Sequence, residues 1–240
     1  MKPFFSYYGA KFRSAKHYPH PRYETIIEPF AGSAAYSCKL SGTRQVVLIE
    51  KDPVIAGIWK YLQLATYDEI IGLPDLEEGQ VVNDLPICQE AKWLIGFWVN
   101  KGSAYPKQTM SKWAREGLSP SQFWGDCKRK KIADQLHNIK EWRVIEGDYT
   151  AAPDIECTWF IDPPYIKRGY AYRCNKIDYG ELAEWCKSRK GQVIVCEQEG
   201  ADWLPFQTLK SLKSNHQHGF TDEVIYHQDI NCPAQLTLFN

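Results

Sequence analysis

The sequence predicts a Rossmann-like α/β fold built on a mostly parallel sheet. Three short apolar runs, 25–28, 46–50 and 157–161, each end at or next to an acidic residue. This pattern is typical of strands that deliver polar groups to the carboxyl edge of such a sheet. The first run leads through a turn of small residues into a helical stretch, and the composition, 44% hydrophobic and 24% charged over 240 residues, is that of a globular chain with a substantial core.

The N-terminal segment Phe4–Lys11 is an aromatic run that ends in Gly9-Ala10-Lys11. It is either a strap over the core or a loop in which Gly9 brings the backbone close to a ligand and Lys11 meets an anion. Both interpretations stay open from the sequence alone.

The first strand, Thr25–Glu28, is followed by a turn at 29–35 and a helix that continues to Leu40. Strand, glycine-containing turn and helix form the first unit of a nucleotide-binding α/β fold. Because Gly32 is the only glycine of the turn and Ala34 stands at the second small position, the pattern is not Gly-x-Gly-x-x-Gly. The turn therefore favours a nucleoside-type cofactor that lacks phosphates.

The second unit is a strand at 46–50 followed by a helix from Asp52-Pro53 to about Leu64. Glu50 lies 18 residues after Gly32, close to the offset at which an acidic residue binds the ribose hydroxyls in such folds. A carboxylate suits this role because it accepts two hydrogen bonds at once. A solvated strand end is the simpler alternative, and Asp52 competes for the role, although Asp-Pro is also typical of a helix start.

The parallel-sheet rhythm breaks between residues 67 and 140, where turn signals and an apolar helix at 91–99 replace strands. We therefore expect a mainly helical inserted subdomain, 67–140, between the two parts of one sheet domain, 1–66 and 141–240. A polar loop at 100–109 follows the apolar helix and mixes lysine, amide and hydroxyl side chains. These are the side-chain types that bind phosphate oxygens and base edges.

The inserted segment also carries the positive charge that the whole chain lacks. The chain is formally neutral, but residues 101–140 contain nine basic and three acidic residues, a local charge of +6, interleaved with aromatic residues. A solvated basic helix is the usual explanation, whereas the interleaved aromatics favour a surface that faces nucleic acid. The expected contacts, one of them in a later loop, are Asn100, Lys101, Lys107, Lys112, Arg115, Arg129, Lys130 and Arg168.

The sheet resumes after the insertion. Further strands are predicted at Arg143–Glu146, Cys157–Ile161, Gln192–Cys196, Glu223–His227 and Gln235–Phe239, with a helix at Tyr179–Lys187. The last two strands are expected to form an antiparallel pair at the end of the sheet.

The strand at 157–161 ends in Asp162-Pro163-Pro164-Tyr165. Neither proline can donate to a sheet ladder, so the strand must stop there and present a carboxylate, a stiff turn and an aromatic ring together. A polar turn that only closes a strand is the simpler interpretation of this tetrapeptide. The ordered acidic strand ends around it favour a site.

Five short motifs follow one another along the chain: Phe5-x-x-Tyr8-Gly9-Ala10-Lys11, Glu28-Pro29-Phe30-Ala31-Gly32-Ser33, Ile49-Glu50-Lys51-Asp52-Pro53, Gly147-Asp148-Tyr149 and Asp162-Pro163-Pro164-Tyr165. In these motifs and in their order, the chain resembles the Dam-like DNA adenine N6-methyltransferases. The resemblance covers roughly residues 4–65 and 140–230. Residues 70–140 match only in position, where that family carries a target-recognition insertion.

The resemblance implies a class I methyltransferase fold, S-adenosylmethionine (SAM) as cofactor and double-stranded DNA as partner. By similarity, Glu50 would bind the ribose, Asp148 the amino group of the cofactor adenine, and Lys11 with 30–32 the methionine end. Ala34 stands where the family more commonly has glycine, which bears on cofactor affinity more than on function. The cofactor residues expected in this way are Tyr8, Gly9, Lys11, Glu28, Phe30, Ala31, Gly32, Ser33, Glu50 and Asp148.

The same resemblance gives the Asp162–Tyr165 turn a chemical role. An exocyclic adenine amine is a poor nucleophile because its lone pair is delocalised into the ring. Asp162 and the Pro163 carbonyl would each accept one N–H and free the lone pair for attack, and Pro164 would stiffen the turn. Tyr165 would stack on a base that has left the duplex.

Two other functions remain compatible with the sequence. An RNA adenine N6-methyltransferase could use the same turn, and a catalytically silent DNA-binding subunit could keep the fold. The scattered cysteines, with no Cys-x-x-Cys pair and no apolar leader before them, favour reduced core thiols in a cytosolic protein without a metal site.

Overall fold

A computed structural model describes residues 1–116, 122–167, 169–213 and 220–229. One seven-stranded sheet has the order β3-β2-β1-β4-β5-β7-β6. The first five strands are parallel, and β7 is antiparallel to both β5 and β6, which confirms the predicted Rossmann-like fold. The strands are β1 Thr25–Glu28, β2 Gln45–Glu50, β3 Arg143–Glu146, β4 Cys157–Ile161, β5 Gly191–Gln198, β6 Gln207–Lys213 and β7 Phe220–Asp229.

Helices connect the strands and build most of the inserted segment. The α-helices are α1 Ala35–Leu40, α2 Pro53–Leu64, α3 Tyr67–Ile71, α4 Gln89–Val99, α5 Lys112–Arg115, α6 Asp126–Ala133 and α7 Tyr179–Lys187. Short 3-10 helices lie at Ala15–His17, Val82–Asp84, Leu136–Ile139, Tyr149–Ala151 and Gly169–Ala171. No helix in the described ranges is both long and apolar enough to cross a membrane.

The antiparallel end of the sheet differs from the predicted pairing. The predicted strand Glu223–His227 lies within β7, but its antiparallel partners are β5 and β6. The sequence did not reveal β6, because its run Gln-Thr-Leu-Lys-Ser-Leu-Lys at the edge of the sheet alternates weakly and holds few apolar residues. The other predicted strand, Gln235–Phe239, lies outside the described residues.

The inserted helices share the core of the sheet. Phe97 of α4 and Ile132 of α6 are fully buried in the same hydrophobic cluster as Leu48 of β2. Trp59 of α2 lies at the centre of this cluster and makes edge-to-face contacts with Phe4 and Phe5 at 5.6 and 5.5 Å between ring centroids. The insertion therefore covers one face of the sheet, and a second cluster covers the other face.

The expectation of core thiols is correct for only part of the cysteines. Cys38, Cys157, Cys186 and Cys196 are buried, but Cys88 and Cys127 are exposed. Cys88 stands at the N-cap of α4.

Candidate active site

A cleft with a water-accessible volume of about 330 Å³ opens at the carboxyl ends of the central parallel strands. The ends of β1, β2 and β4 reach it together with the N-terminal loop and the turn after β3. All the residues predicted for the cofactor line it: Tyr8, Gly9, Lys11, Glu28, Phe30, Ala31, Gly32, Ser33, Glu50 and Asp148. The Asp162–Tyr165 turn contributes Asp162 and Pro164 to the same wall.

The turn after β1 brings bare backbone to the cleft. Gly32 has a φ of 46°, and a Cβ atom there would lie 3.1 Å from the ring of Tyr7. The turn is fixed from behind, because the Trp59 indole donates to the Gly32 carbonyl at 2.8 Å. Ala34 also has a positive φ, 45°, a conformation that costs an alanine on the order of 1 kcal/mol. Packing around this turn therefore keeps Ala34 in a backbone conformation that glycine would adopt without strain.

Glu50 closes β2 and faces this turn. Its Oε2 accepts from the Gly32 amide and its Oε1 from the Asp52 amide, both at 2.9 Å. Burial raises the pKa of Glu50 to about 7, against the backbone hydrogen bonds that lower it. Each carboxylate oxygen has a second lone pair, so Glu50 can still accept from ligand hydroxyls. Asp52 is instead the N-cap of α2, where it accepts from the Val54 amide at 2.9 Å.

Glu28 forms the floor of the cleft at the end of β1. Its side chain accepts from the Ser37 amide at 2.7 Å, and the residue is only 2% exposed. Burial raises the pKa of Glu28 to about 8, so the carboxyl group carries a proton at neutral pH.

The lining of the cleft is rich in carboxyl groups. Acidic side chains outnumber basic ones by seven to four: Glu28, Glu50, Asp52, Asp148, Asp162, Asp178 and Glu181 against Lys11, Lys51, Arg173 and Lys176. Asp148 is paired with Lys51 at 2.8 Å. Because burial raises the pKa of Glu28 to about 8 and that of Glu50 to about 7, the other five carboxyl groups face four basic groups, and the lining has no surplus of cations for a polyphosphate.

Asp162 is paired with the N-terminal loop. Lys11 Nζ donates to Asp162 Oδ2 at 3.1 Å and lies 3.0 Å from Oδ1, which accepts no hydrogen bond from the described residues. Burial raises the pKa of Asp162, the Lys11 charge lowers it and the Glu223 charge raises it. Lys11 therefore lies against both oxygens of the predicted catalytic carboxylate as well as on the cleft wall.

Three side chains from other elements hold the Asp162–Tyr165 turn. The Tyr179 hydroxyl at the start of α7 donates to the Pro164 carbonyl. Glu197 of β5 accepts from the Ile166 amide at 3.4 Å. The Tyr165 hydroxyl donates to Glu223 of β7 at 3.3 Å.

Pro163 and Tyr165 do not line the cleft. Pro163 is buried behind the turn, and the Tyr165 ring packs partly against the core. The Lys11 ammonium lies 4.6 Å from the centroid of the Tyr165 ring. A base stacked on that face would take the place of this ammonium.

Glu223 is a site residue that the sequence did not reveal. It is 7% exposed, and its Oε1 accepts from the hydroxyls of both Tyr18 and Tyr165. The only available signal was an acidic residue inside an apolar strand, since nothing in the sequence pairs Glu223 with residues 58 and 205 positions away.

The loop after the Asp162–Tyr165 turn crosses the mouth of the cleft, and this contact was also not predicted. The Tyr172 hydroxyl donates to the Tyr8 carbonyl at 3.2 Å. A Cβ atom on Gly9 would lie 2.2 Å from that hydroxyl, so glycine is required for the approach. Arg173 lies 3.8 Å from Asp52 and holds the other end of the loop.

Two of the predicted nucleic-acid contacts, Arg129 and Arg168, differ from the rest, and the prediction for Arg129 needs correction. The Arg129 side chain is 7% exposed and pairs with Asp75 and Asp126, so its guanidinium group is not offered to a phosphate. Arg129 lies on the side of α6 that faces Asp75, so its side chain points toward the body of the protein. Arg168 lies outside the described residues.

The other predicted contacts are accessible. Lys112 and Lys130 are exposed and paired with Glu116 and Asp134 on their own helices, and Arg115 is exposed. Asn100 is half-buried at the end of α4. Lys101 bonds to Gln122 at 3.2 Å, and Lys107 lies 3.8 Å from the Tyr105 ring centroid.

Comparison with known proteins adds little to this geometry. No family model matches the chain. No curated protein matches it. Among solved structures, it is similar to a conserved hypothetical protein of Streptococcus pyogenes, with 12% identity, a TM-score of 0.37 and coverage of 92% of this chain and 94% of the other. It is also similar to the rRNA methyltransferase AviRa of Streptomyces viridochromogenes, with 14% identity, a TM-score of 0.37 and coverage of 95% and 88%. Likeness at this level carries no argument about activity.

Proposed function

We propose that this chain transfers a methyl group from SAM to the N6 amine of adenine in double-stranded DNA. The observation that carries the proposal is the position of Asp162. Its carboxylate, paired with Lys11, lies on the wall of the same cleft that holds the small-residue turn, Glu50 and Asp148. The proposal places cofactor and amine at one strand edge, where Rossmann-like folds bind their ligands.

The residues of the cleft fit SAM. Its sulfonium, ammonium and carboxylate groups suit a lining that, besides Glu28 and Glu50, has five acidic and four basic residues. The absence of a second turn glycine matters less for a ligand without phosphates. In this arrangement Glu50 accepts from the ribose hydroxyls, Asp148 from the cofactor adenine, and the bare backbone at Gly32 faces the methionine end.

SAM supplies an electrophilic methyl group on a sulfonium. Asp162 then orients the amine by accepting one of its hydrogens, so that its lone pair points along the line of attack. The Pro163 carbonyl is expected to accept the other hydrogen, which requires the turn to shift, because Pro163 does not line the cleft. Because burial raises the pKa of Asp162, this carboxylate is also a competent acceptor for the proton that the methylated amine must lose. Lys11 keeps the carboxylate charged until the amine arrives.

The test is methyl transfer by Asp162→Ala and Asp162→Asn. Both variants should lose activity by about 10²–10³-fold, because one of the two groups that orient the amine is missing. SAM affinity by calorimetry should stay close to that of the wild type. Asp84→Ala, which removes an exposed carboxylate, is the control. Near-normal transfer by Asp162→Ala would exclude the assignment.

The substrate is decided in the same assay. Radiolabelled SAM is incubated with duplex DNA or structured RNA, and the modified nucleoside is identified after digestion. N6-methyladenine in DNA supports the proposal, transfer to RNA alone replaces DNA by RNA as substrate, and no SAM binding points to a catalytically silent subunit.

A further inference from the structure

Lys128 differs from its neighbours on α6. Arg129 and Lys130 are both paired with carboxylates, but the described residues give Lys128 no acidic partner. It is nevertheless 8% exposed, which is unusual for a lysine without a counter-ion. An exposed basic helix does not explain a lysine that is buried and unpaired.

The Lys128 ammonium rests on an aromatic platform. Its Nζ lies 3.6 Å from the centroid of the Trp98 ring. The platform is fixed, because the Trp98 indole donates to the Phe4 carbonyl at 2.9 Å and the residue is 5% exposed. The ring quadrupole stabilises the charge without neutralising it, so the ammonium still lacks a counter-ion.

Further cations surround this position. Lys131 lies three residues along the same helix, and Lys101 follows Trp98 by three residues. Lys101 lies 5.7 Å from the Phe123 ring centroid and feels the charge of the exposed Arg13. Burial, together with the charges of Lys131 and Lys101, lowers the pKa of Lys128 to about 8. We call Arg13, Lys101, Lys128 and Lys131 the basic patch.

The basic patch borders the cleft. The Tyr8 amide donates to the Ser103 carbonyl at 3.0 Å, and the Gly102 amide donates to the Ser6 hydroxyl at 3.2 Å. The loop that carries Lys101 is therefore bonded to the loop that forms the cleft mouth. A nucleic-acid strand bound at Lys101 would therefore lie beside the loop that forms the cleft mouth.

We propose that the basic patch, with Lys128 on its Trp98 platform, binds a backbone phosphate of the nucleic-acid strand whose base enters the cleft. The inference rests on the proposed function and names the surface that holds its substrate. We infer the ligand from charge complementarity, because Lys101 and Lys128 lie on aromatic rings without an acidic partner among the described residues and so suit a phosphodiester backbone. We therefore propose the basic patch as the phosphate contact instead of Arg129, which is paired with Asp75.

Binding should therefore depend on salt and on pH through this one lysine. In the free protein Lys128 begins to lose its proton near pH 8, whereas a bound phosphate holds the proton on. Binding above pH 8 then requires proton uptake, so affinity should fall between pH 7 and pH 9. The groups that face Lys128 are Lys131 and Cys127 on its own helix, Lys101 and the Trp98 ring.

The experiment measures Kd by fluorescence anisotropy with a labelled duplex oligonucleotide, as a function of NaCl and pH, on the full chain. Lys128→Gln should weaken binding about tenfold at low salt and reduce the slope of log K against log salt by about 0.9, the value for one phosphate contact. Lys128→Arg should keep the salt slope but lose the fall between pH 7 and pH 9, since arginine does not titrate there. Lys187→Gln on α7, over the other face of the sheet, is the control and should change neither quantity.

An unchanged salt slope in Lys128→Gln would overturn the inference. So would equal loss of binding and of thermal stability in Lys128→Gln and Lys128→Arg, which would assign the residue to packing, or competition by an acidic peptide as effective as that by DNA. The methyl-transfer assay is independent of this result. If nucleic-acid binding depends on Lys128 but no methyl group is transferred, the basic patch is retained and the proposed function is rejected. If methyl transfer occurs but the salt slope of binding is the same without Lys128, the proposed function is retained and the basic patch is rejected.

Discussion

At the residue scale, one hydrogen bond connects two parts of the sheet that the sequence separates. Tyr165 follows β4 and Glu223 belongs to the antiparallel β7, and their contact fixes the end of the Asp162–Tyr165 turn. Tyr18 bonds to the same carboxylate oxygen from a third direction. Burial raises the pKa of both tyrosines well above the ordinary value, so both hydroxyls remain donors.

Removing this acceptor should impair turnover more than cofactor binding. We expect Glu223→Ala to lower kcat about tenfold, the loss of one hydrogen bond to a charged group, with SAM affinity unchanged. Tyr165→Phe should have a similar effect, and the double variant should lose little more than either single variant. Tyr226→Phe, which removes the hydroxyl that bonds Gln228 on the same strand, is the control. Additive losses in steady-state kinetics would contradict the link.

Buried Glu28 should make the protein less stable as the pH rises. Its pKa is raised to about 8 in the folded chain, so between the unfolded value, 4.5, and pH 8 the folded state binds a proton that the unfolded state lacks. The free energy of unfolding therefore falls across this window. Glu28→Gln should flatten the fall in urea titrations at pH 5 to 8, and Glu78→Gln, an exposed control, should retain it. Equal slopes in the wild type and Glu28→Gln would contradict this prediction.

Most of the predicted cofactor residues lie at or just after the ends of β1, β2 and β3, whereas Tyr8, Gly9 and Lys11 lie in the N-terminal loop before the first strand. The runs before Glu50 and Asp162 identify the strands, and parallel strands bring their ends to one edge. Glu223 and Tyr172 were not predictable, because their partners, Tyr165 and the Tyr8 carbonyl, are 58 and 164 residues away. Local patterns contain no information about such pairs.

At the element scale, the start of α7, which the sequence predicts, lies against the Asp162–Tyr165 turn. Asp178 caps the helix by accepting from the Gly180 and Glu181 amides at 2.9 and 3.0 Å. Tyr179, the first residue of the helix, donates to the Pro164 carbonyl. The bounds of α7 agree with the sequence, whereas β6 escaped prediction because an edge strand needs no continuous apolar run.

Loss of this cap should weaken both the helix and the turn. Asp178→Ala should lower the free energy of unfolding by about 1 kcal/mol, and Asp178→Asn should restore most of it, because asparagine also accepts from the helix amides. Urea titration measures both. Equal destabilisation by alanine and asparagine would show that the cap contributes nothing.

At the scale of the whole molecule, the inserted segment and the sheet share one hydrophobic cluster. Phe97 of α4 is fully buried, 5.5 Å from the Phe5 ring and 5.7 Å from the Tyr7 ring between centroids. The sequence predicts a mainly helical segment at 67–140, in which α3 to α6 lie, but it does not predict that the apolar helix α4 packs on the N-terminal segment. That depends on tertiary packing, which the periodicity of a single helix does not specify.

A shared core should make the insertion and the sheet unfold together. Phe97→Ala should cost about 3–5 kcal/mol, and unfolding curves from circular dichroism and tryptophan fluorescence should coincide in the wild type. Trp113→Ala, at a side chain that is 63% exposed, should change stability by no more than about 0.5 kcal/mol. Two separate transitions in the wild type would show that the insertion folds on its own.

The contact between Tyr172 and the Tyr8 carbonyl has a consequence for processivity. Under the proposed function, nucleic acid at the basic patch and cofactor in the cleft meet on the same N-terminal loop. After methyl transfer, the spent cofactor must pass the loop that carries Tyr172. It can leave while the strand stays bound only if this loop opens without release of the strand. Under that proposal, a variant that weakens this hydrogen bond is expected to release spent cofactor more readily while the strand stays bound.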